Sequence, residues 1–154
     1  MNSESAFCTF FSGDALYGVP IDTVLEVRVD HPVSRVPLSD PAVAGVMNIR
    51  GRIITALDLR VLLGIDGEQE AHPRESLVLA SEQEEISLLV DKIGDIHEPG
   101  RDALHAPPGT LSESVAQYIT SVYRLEDRLL SVIDVRKLID GEMHSVSRDP
   151  GQKQ

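Results

Sequence analysis

The residue types able to do bond chemistry are few in this chain and badly placed for it. Five histidines (His31, His72, His97, His105 and His144) fall in loop-like or terminal stretches. No two of them stand at i,i+4 on a helical pattern, and the His97 to His105 interval crosses Pro and Gly without matching a metal-ligand spacing. The single cysteine, Cys8, sits inside the apolar run FCTFF, which suits a packed thiol better than a nucleophile. Gly13, Gly18, Gly45 and Gly51 are isolated, so no phosphate cradle is expected, and no serine stands in a glycine elbow. Neither cofactor nor metal is expected, and no catalytic residue can be named.

Recognition is the chemistry that remains. Arg50 lies at a turn flanked by aliphatic runs, where a planar donor fork on an apolar stem suits protein–protein contact. Glu26 and Arg28 alternate with Leu25, Val27 and Val29, which places the charges on one face of a strand and the apolar residues on the other. The expectation is that Leu25, Val27 and Val29 are buried and that Glu26, Arg28 and Asp30 are wet.

The element that carries Arg50 is used twice. Val46–Gly64 lies over Val122–Asp140 at a constant offset of 76 without a gap, and Val46/Val122, Arg52/Arg128, Asp58/Asp134, Arg60/Arg136 and Leu62/Leu138 are identical pairs. Each copy reads as strand, tight turn, strand and short helix. Arg50-Gly51 forms the first turn, with Asn48 and Gly51 serving its geometry, and Glu126-Asp127 forms the second. Asp58 and Asp134 stand where helix N-caps belong, with Gly64 and Gly141 as terminators. A second echo, at offset 69, lays Ile21-Asp22 over Val90-Asp91 and Glu26-Val27 over Asp95-Ile96. The different offsets imply a seven-residue insertion within Glu98–Ser114.

Short Val, Ile and Leu runs separated by Gly, Pro, Asp and Ser predict an all-β fold with an aliphatic core, aromatics being 4% of residues. Strands are expected at Phe7–Phe11, Leu16–Val19, from Leu25, Leu77–Ala80, Ile86–Val90, Ile119–Leu125 and Leu129–Ile133. Two halves of this size are each marginal alone, so 7–64 and 76–141 should pack into one body with a seam between them. The polar stretch after Gly64 is read as their connector, and residues 142–154 as a disordered tail. A formal net charge of −11 with no Lys/Arg cluster argues against nucleic acid and anionic lipid as partners. With no signal-like N-terminus and no apolar run of membrane-spanning length, a soluble cytoplasmic protein without membrane insertion is expected.

At YGVPIDTVLEVR (Tyr17–Arg28), VMNIRGRIITALDLRVLLG (Val46–Gly64), LLVDKIGDI (Leu88–Ile96) and LLSVIDVRKLI (Leu129–Ile139) the sequence resembles the CheW family of chemosensory adaptors. The resemblance implies two five-stranded, SH3-like β-barrel subdomains on a shared hydrophobic core. It also implies a non-catalytic scaffold between the cytoplasmic tips of methyl-accepting chemoreceptors and the regulatory domain of a CheA-type histidine kinase, recruited to receptor arrays at the inner membrane, with other CheW-like domains as further partners in array rings. Carried over, Arg50 and Glu26 match positions of receptor and kinase coupling, and Val24, Leu77, Ile93 and Ile96 match apolar positions of a receptor groove between subdomains. Two other readings stand beside it: an adaptor of a non-flagellar pathway governing surface motility or a second messenger, and a small-ligand-binding barrel.

Overall fold

The structure, a computed structural model, describes residues 6–29, 33–35, 40–64, 75–82, 84–109 and 111–147, from 142 onward as backbone alone. The first half carries β1 (Phe7–Ser12), β2 (Ala15–Pro20), a 3₁₀ turn at Ile21–Thr23, β3 (Val24–Val29), β4 (Val43–Ile49), β5 (Arg52–Asp58) and α1 (Leu59–Leu63). The second carries β6 (Glu75–Ser81), β7 (Glu84–Val90), β8 (Lys92–His97), β9 (Leu104–His105), α2 (Glu113–Ala116), β10 (Ile119–Arg124), β11 (Leu129–Ile133) and α3 (Val135–Ser147). The connector expected after Gly64 lies mostly outside the described residues.

The strands form two sheets, ordered β8-β1-β2-β11-β10-β9 and β3-β6-β7-β5-β4. These sheets do not coincide with 7–64 and 76–141. The hairpin β1–β2 of the first half completes the sheet of β8 to β11, and β6–β7 of the second half completes the sheet of β3 to β5. The exchange is reciprocal and keeps the repeat's register. Thr55 pairs with Ile86 where β5 runs parallel to β7, and the counterparts Ser131 and Tyr17 pair where β11 runs parallel to β2. Neither half can therefore close its own sheet, which is why the two form one body.

Each sheet curls round a small apolar interior, giving two SH3-like barrels. One encloses Met47, Ile49, Ile54, Ala56, Val78 and Leu89, and the other Phe7, Leu16, Leu130 and Val132. The first barrel has the five strands expected; the second adds the two-residue β9 as a sixth. A larger core lies between them and includes Phe10, Tyr17, Leu57, Leu59, Leu77, Leu79, Ile86, Leu88, Ile133 and Leu138. Each such fully buried side chain contributes about 1.5–3 kcal/mol, so most of the apolar stabilisation sits at the seam.

Local chemistry sets the helix starts. The Asp58 side chain accepts from the Arg60 amide at 3.0 Å, and Gly64 ends α1 in the left-handed region at φ 68°. Asp134 likewise accepts from the Lys137 amide at 3.2 Å. Two expectations need correction here. Gly141 does not stop α3, and the tail assigned from 142 is helical through Ser147. A glycine inside a helix costs only about 1 kcal/mol relative to alanine, too little to break one already anchored by Leu138 and Ile139 in the shared core. The Glu98–Ser114 insertion is more than a loop. It holds a 3₁₀ turn at Arg101–Ala103, β9 and the first residues of α2, whose Val115 joins the shared core.

Among the described residues, two serine hydroxyls of the first barrel, those of Ser76 and Ser87, are buried without a partner. Ser87 is fully buried between Ala56 and Val78 on its neighbouring strands, and its hydroxyl makes no hydrogen bond. Ser87→Ala should leave stability unchanged or raise it by up to about 1 kcal/mol, because an unpaired buried hydroxyl is a net cost. Urea melts of the two proteins decide it: a clear loss on substitution would mean that the hydroxyl is bonded after all.

Candidate functional site

Arg50 and Gly51 make a two-residue hairpin loop between the paired residues Ile49 and Arg52. Both take positive φ, 55° and 84°, the signature of a type I′ turn. The Asn48 side chain accepts from the Gly51 amide at 2.9 Å and so fixes the turn that Asn48 and Gly51 were expected to serve. The Arg50 side chain, 76% exposed, donates from Nε to Glu26 Oε2 at 3.1 Å. Glu26 Oε1 takes Arg28 Nε at 3.0 Å. Glu26 thus holds two guanidinium groups, one from its own strand and one from the β4–β5 turn. An ion pair this exposed contributes little to stability, so Arg50 is displayed rather than buried for support. Arg52, paired with Glu85, and the exposed Ile53 extend the same tip.

The equivalent end of the other barrel is different. At offset 76 the counterpart of Arg50 is Glu126, and at offset 69 that of Glu26 is Asp95. There a cavity of about 500 Å³ opens, lined by Thr9, Phe11, Asp95, His97, Glu126 and Arg128 among others. Arg128 lies over the Phe11 ring, 5.3 Å from its centroid. The repeat therefore presents a basic tip at one end and an acidic hollow at the other.

The faces of β3 are the reverse of those expected. Glu26 and Arg28 are half-buried, whereas Leu25, Val27 and Val29 are exposed. The register explains it. A bulge between Val24 and Glu26 re-aims the strand, after which Val27 lies opposite Leu77 and Val29 opposite Glu75, the side of the sheet that faces the shared core. β3 is an edge strand, and these residues lie beyond the limit of that core. β8, the edge of the other sheet, repeats the device: a bulge falls at the equivalent position, Ile93 lies opposite Phe10 and Ile96 opposite Cys8. Val24 and Ile93 pack against the shared core from the two sides. Val27 and Ile96, 46% and 58% exposed, carry the same apolar surface outward along the seam. No described residue of the chain covers this band.

Of the expected groove residues, Val24, Ile93 and Ile96 are placed on the band. Leu77 lies beneath it, wholly buried as part of the shared core. Leu25, Val27 and Val29 were missed as surface residues. Cys8 is buried, and burial pushes its thiol pKa up, away from nucleophilic use; burial raises that of Tyr17 too. Among the described residues no three of His, Cys, Asp and Glu gather at metal-binding distance, and no helix is long and apolar enough to cross a membrane.

Comparison with known proteins gives one family. Residues 6–143 match the model of the CheW-like domain. A chemotaxis protein CheW of Klebsiella aerogenes is 28% identical over 136 residues, covering 88% of this chain and 82% of that protein. The Bacillus subtilis protein of the same name is 24% identical, covering 82% and 81%. Among solved structures, the scaffolding protein TtCheW from Thermoanaerobacter tengcongensis superposes with a TM-score of 0.76 at 21% identity, covering 85% of this chain and 89% of that one. At that identity the likeness speaks for the fold.

Proposed function

The chain belongs to the CheW-like domain family, and from this premise we propose that it is a non-catalytic adaptor of chemotaxis, coupling methyl-accepting chemoreceptors to a CheA-type histidine kinase. It works in the cytoplasm and is recruited to receptor arrays at the inner membrane, where other CheW-like domains are further neighbours. The observation that carries this reading is an exposed apolar band along the seam beside a displayed arginine tip, with Val27 of the band and Glu26, which braces Arg50, on opposite faces of β3. The apolar band of Val24, Leu25, Val27, Ile93 and Ile96 suits the helical tip of a receptor. The tip bearing Arg50, braced by Glu26, suits a polar contact with the kinase's regulatory domain.

No reaction is needed for such a protein to transmit a signal. Receptor conformation has only to change the kinase's on–off balance by a coupling of typically about 1–3 kcal/mol. Weak contacts suffice in an array, since linked sites raise effective concentration.

Arg50→Glu tests the reading. It places a second carboxylate beside Glu26 on an exposed turn, so the melting temperature should barely move, within about 0.5 kcal/mol of wild type. Co-elution with the kinase regulatory domain and a receptor-tip fragment from the same cell should be lost. A variant that unfolds would make Arg50 structural; one that still assembles and still activates the kinase would remove it from the coupling surface.

A further inference from the structure

One residue carries the chain from one sheet to the other between β7 and β8, and it is held by four hydrogen bonds to three residues. The Asp91 amide donates to Phe11 O at 3.0 Å. Its carboxylate accepts from the Gly13 amide at 2.8 Å, from Arg60 Nε at 3.0 Å and from Arg60 Nη2 at 2.7 Å. Gly13 is in the β1–β2 turn of one sheet, and Arg60 is in the first turn of α1, directly after β5 of the other. Two residues on, the Ile93 amide donates to Glu75 Oε1 at 2.6 Å. Glu75 begins β6 and lies opposite Val29 of β3. The start of β8 is thus tied to both sheets and, through Glu75, to the strand that forms the other side of the apolar band.

The fold does not demand this clamp. At the equivalent place in the repeat the arginine is Arg136, and it turns to Glu82, an exposed pair with side chains 64% and 71% accessible. The counterpart of Asp91 there is Asp22, which is exposed. In contrast, the Arg60 and Asp91 side chains are 18% and 19% accessible, and their contact is bidentate. The elaborated copy is the one that leads straight into Ile93 and Ile96.

We propose that Arg60, Asp91 and Glu75 are positioning residues of the binding band: they set where β8 stands, and hence how Ile93 and Ile96 meet a partner helix, without touching that partner. The proposal rests on the reading of the band as the receptor-tip surface. A β8 released at its start is still paired to β1, so the loss is one of placement rather than of the strand.

The test uses the full chain with Arg60→Met, Asp91→Asn and, as a shape-preserving variant in case these fail to fold, Glu75→Gln. Methyl NMR follows Ile93 and Ile96, with Ile54 in the barrel interior as reference, and titration measures affinity for a receptor-tip fragment and for the kinase regulatory domain. The Ile93 and Ile96 methyls should shift while Ile54 does not. Receptor-tip affinity should fall roughly tenfold, within the range seen for residues that act through others, with kinase affinity unchanged. Arg60→Lys, which keeps the charge but not the fork, should fall between. Methyls that stay in place in folded variants, or that move with no loss of receptor-tip affinity, would overturn the proposal. If wild type bound no receptor tip, the adaptor reading of the band would fail, and the methyl shifts alone would still decide whether these residues place β8.

Discussion

Gly45→Ala should be among the most damaging single-methyl changes available to this protein. Gly45 takes φ 155°, and a Cβ built there falls 2.2 Å from the Ser34 carbonyl oxygen and 2.9 Å from its carbon. The obstacle is backbone, and it cannot retreat freely. Ser34 N donates to Val46 O and Val46 N to Ser34 O, both at 2.8 Å, so the segment is laced to β4 next to the glycine. The methyl must either break that lacing, uncovering the barrel interior on which Val33 packs, or strain β4 itself. Overpacking and an unfavourable φ each cost about 1–3 kcal/mol, so a combined loss near 4 kcal/mol is expected, against a total stability of about 5–15. For a chain of this size that is a fall of roughly 10 °C in melting temperature. Gly51→Ala is the matched control. Gly51 also has positive φ, 84°, but nothing lies within 4 Å of its added Cβ. It should cost about 1 kcal/mol from conformation alone. If the two variants melted together, the close approach of Ser34 would not be what Gly45 is for.

Most of the strands, the Arg50-Gly51 turn and the caps at Asp58 and Asp134 were legible in the sequence because their causes are local, whereas β8 and β9 were not expected and Gly141 does not end α3. Asp58, Gly64, Asn48 and Gly51 do what their types do at those spacings. The identity of the repeat was legible for the same reason. The exchange of strands was not, and it could not have been. β1–β2 and β6–β7 are offset-equivalents, so each half would pair as well with its own hairpin as with the other's, and periodicity does not distinguish the two. Chain geometry does, since β7 runs into β8 through the single residue Asp91. The faces of β3 failed for a related reason. Alternation separates Leu25, Val27 and Val29 from Glu26 and Arg28, but it does not say which face is covered. That depends on where the shared core ends and on a bulge at Leu25 that shifts the register. The candidate site was half legible: Arg50 stood out by its turn, while the apolar band was hidden by the rule that apolar residues face inward.

Edge strands usually carry charge on their open side, which prevents association with other chains. β3 carries Leu25, Val27 and Val29 there, and β8 carries Ile96, all exposed. Such a surface is costly to keep unless something covers it. Val27→Glu and Ile96→Glu should therefore separate binding from folding more sharply than any other change. At positions 46% and 58% exposed in the free protein, a carboxylate remains hydrated, so stability should change by less than about 1 kcal/mol. Against an apolar helix the same carboxylate must lose its water without gaining a partner, which costs several kcal/mol. A loss of about 3 kcal/mol corresponds to more than a hundredfold in affinity for a receptor-tip fragment. Leu104→Glu supplies the comparison. Leu104 is as exposed as Ile96 but sits on β9, the opposite edge of the same sheet, and its change should leave receptor affinity intact. Kinase binding should survive Val27→Glu and fail in Arg50→Glu, because Val27 and Glu26, which braces Arg50, lie on opposite faces of β3. Equal losses at Leu104 and Ile96 would mean that exposed apolar area in general, and not the seam, draws the partner. Loss of kinase binding in Val27→Glu would mean that the two surfaces are one.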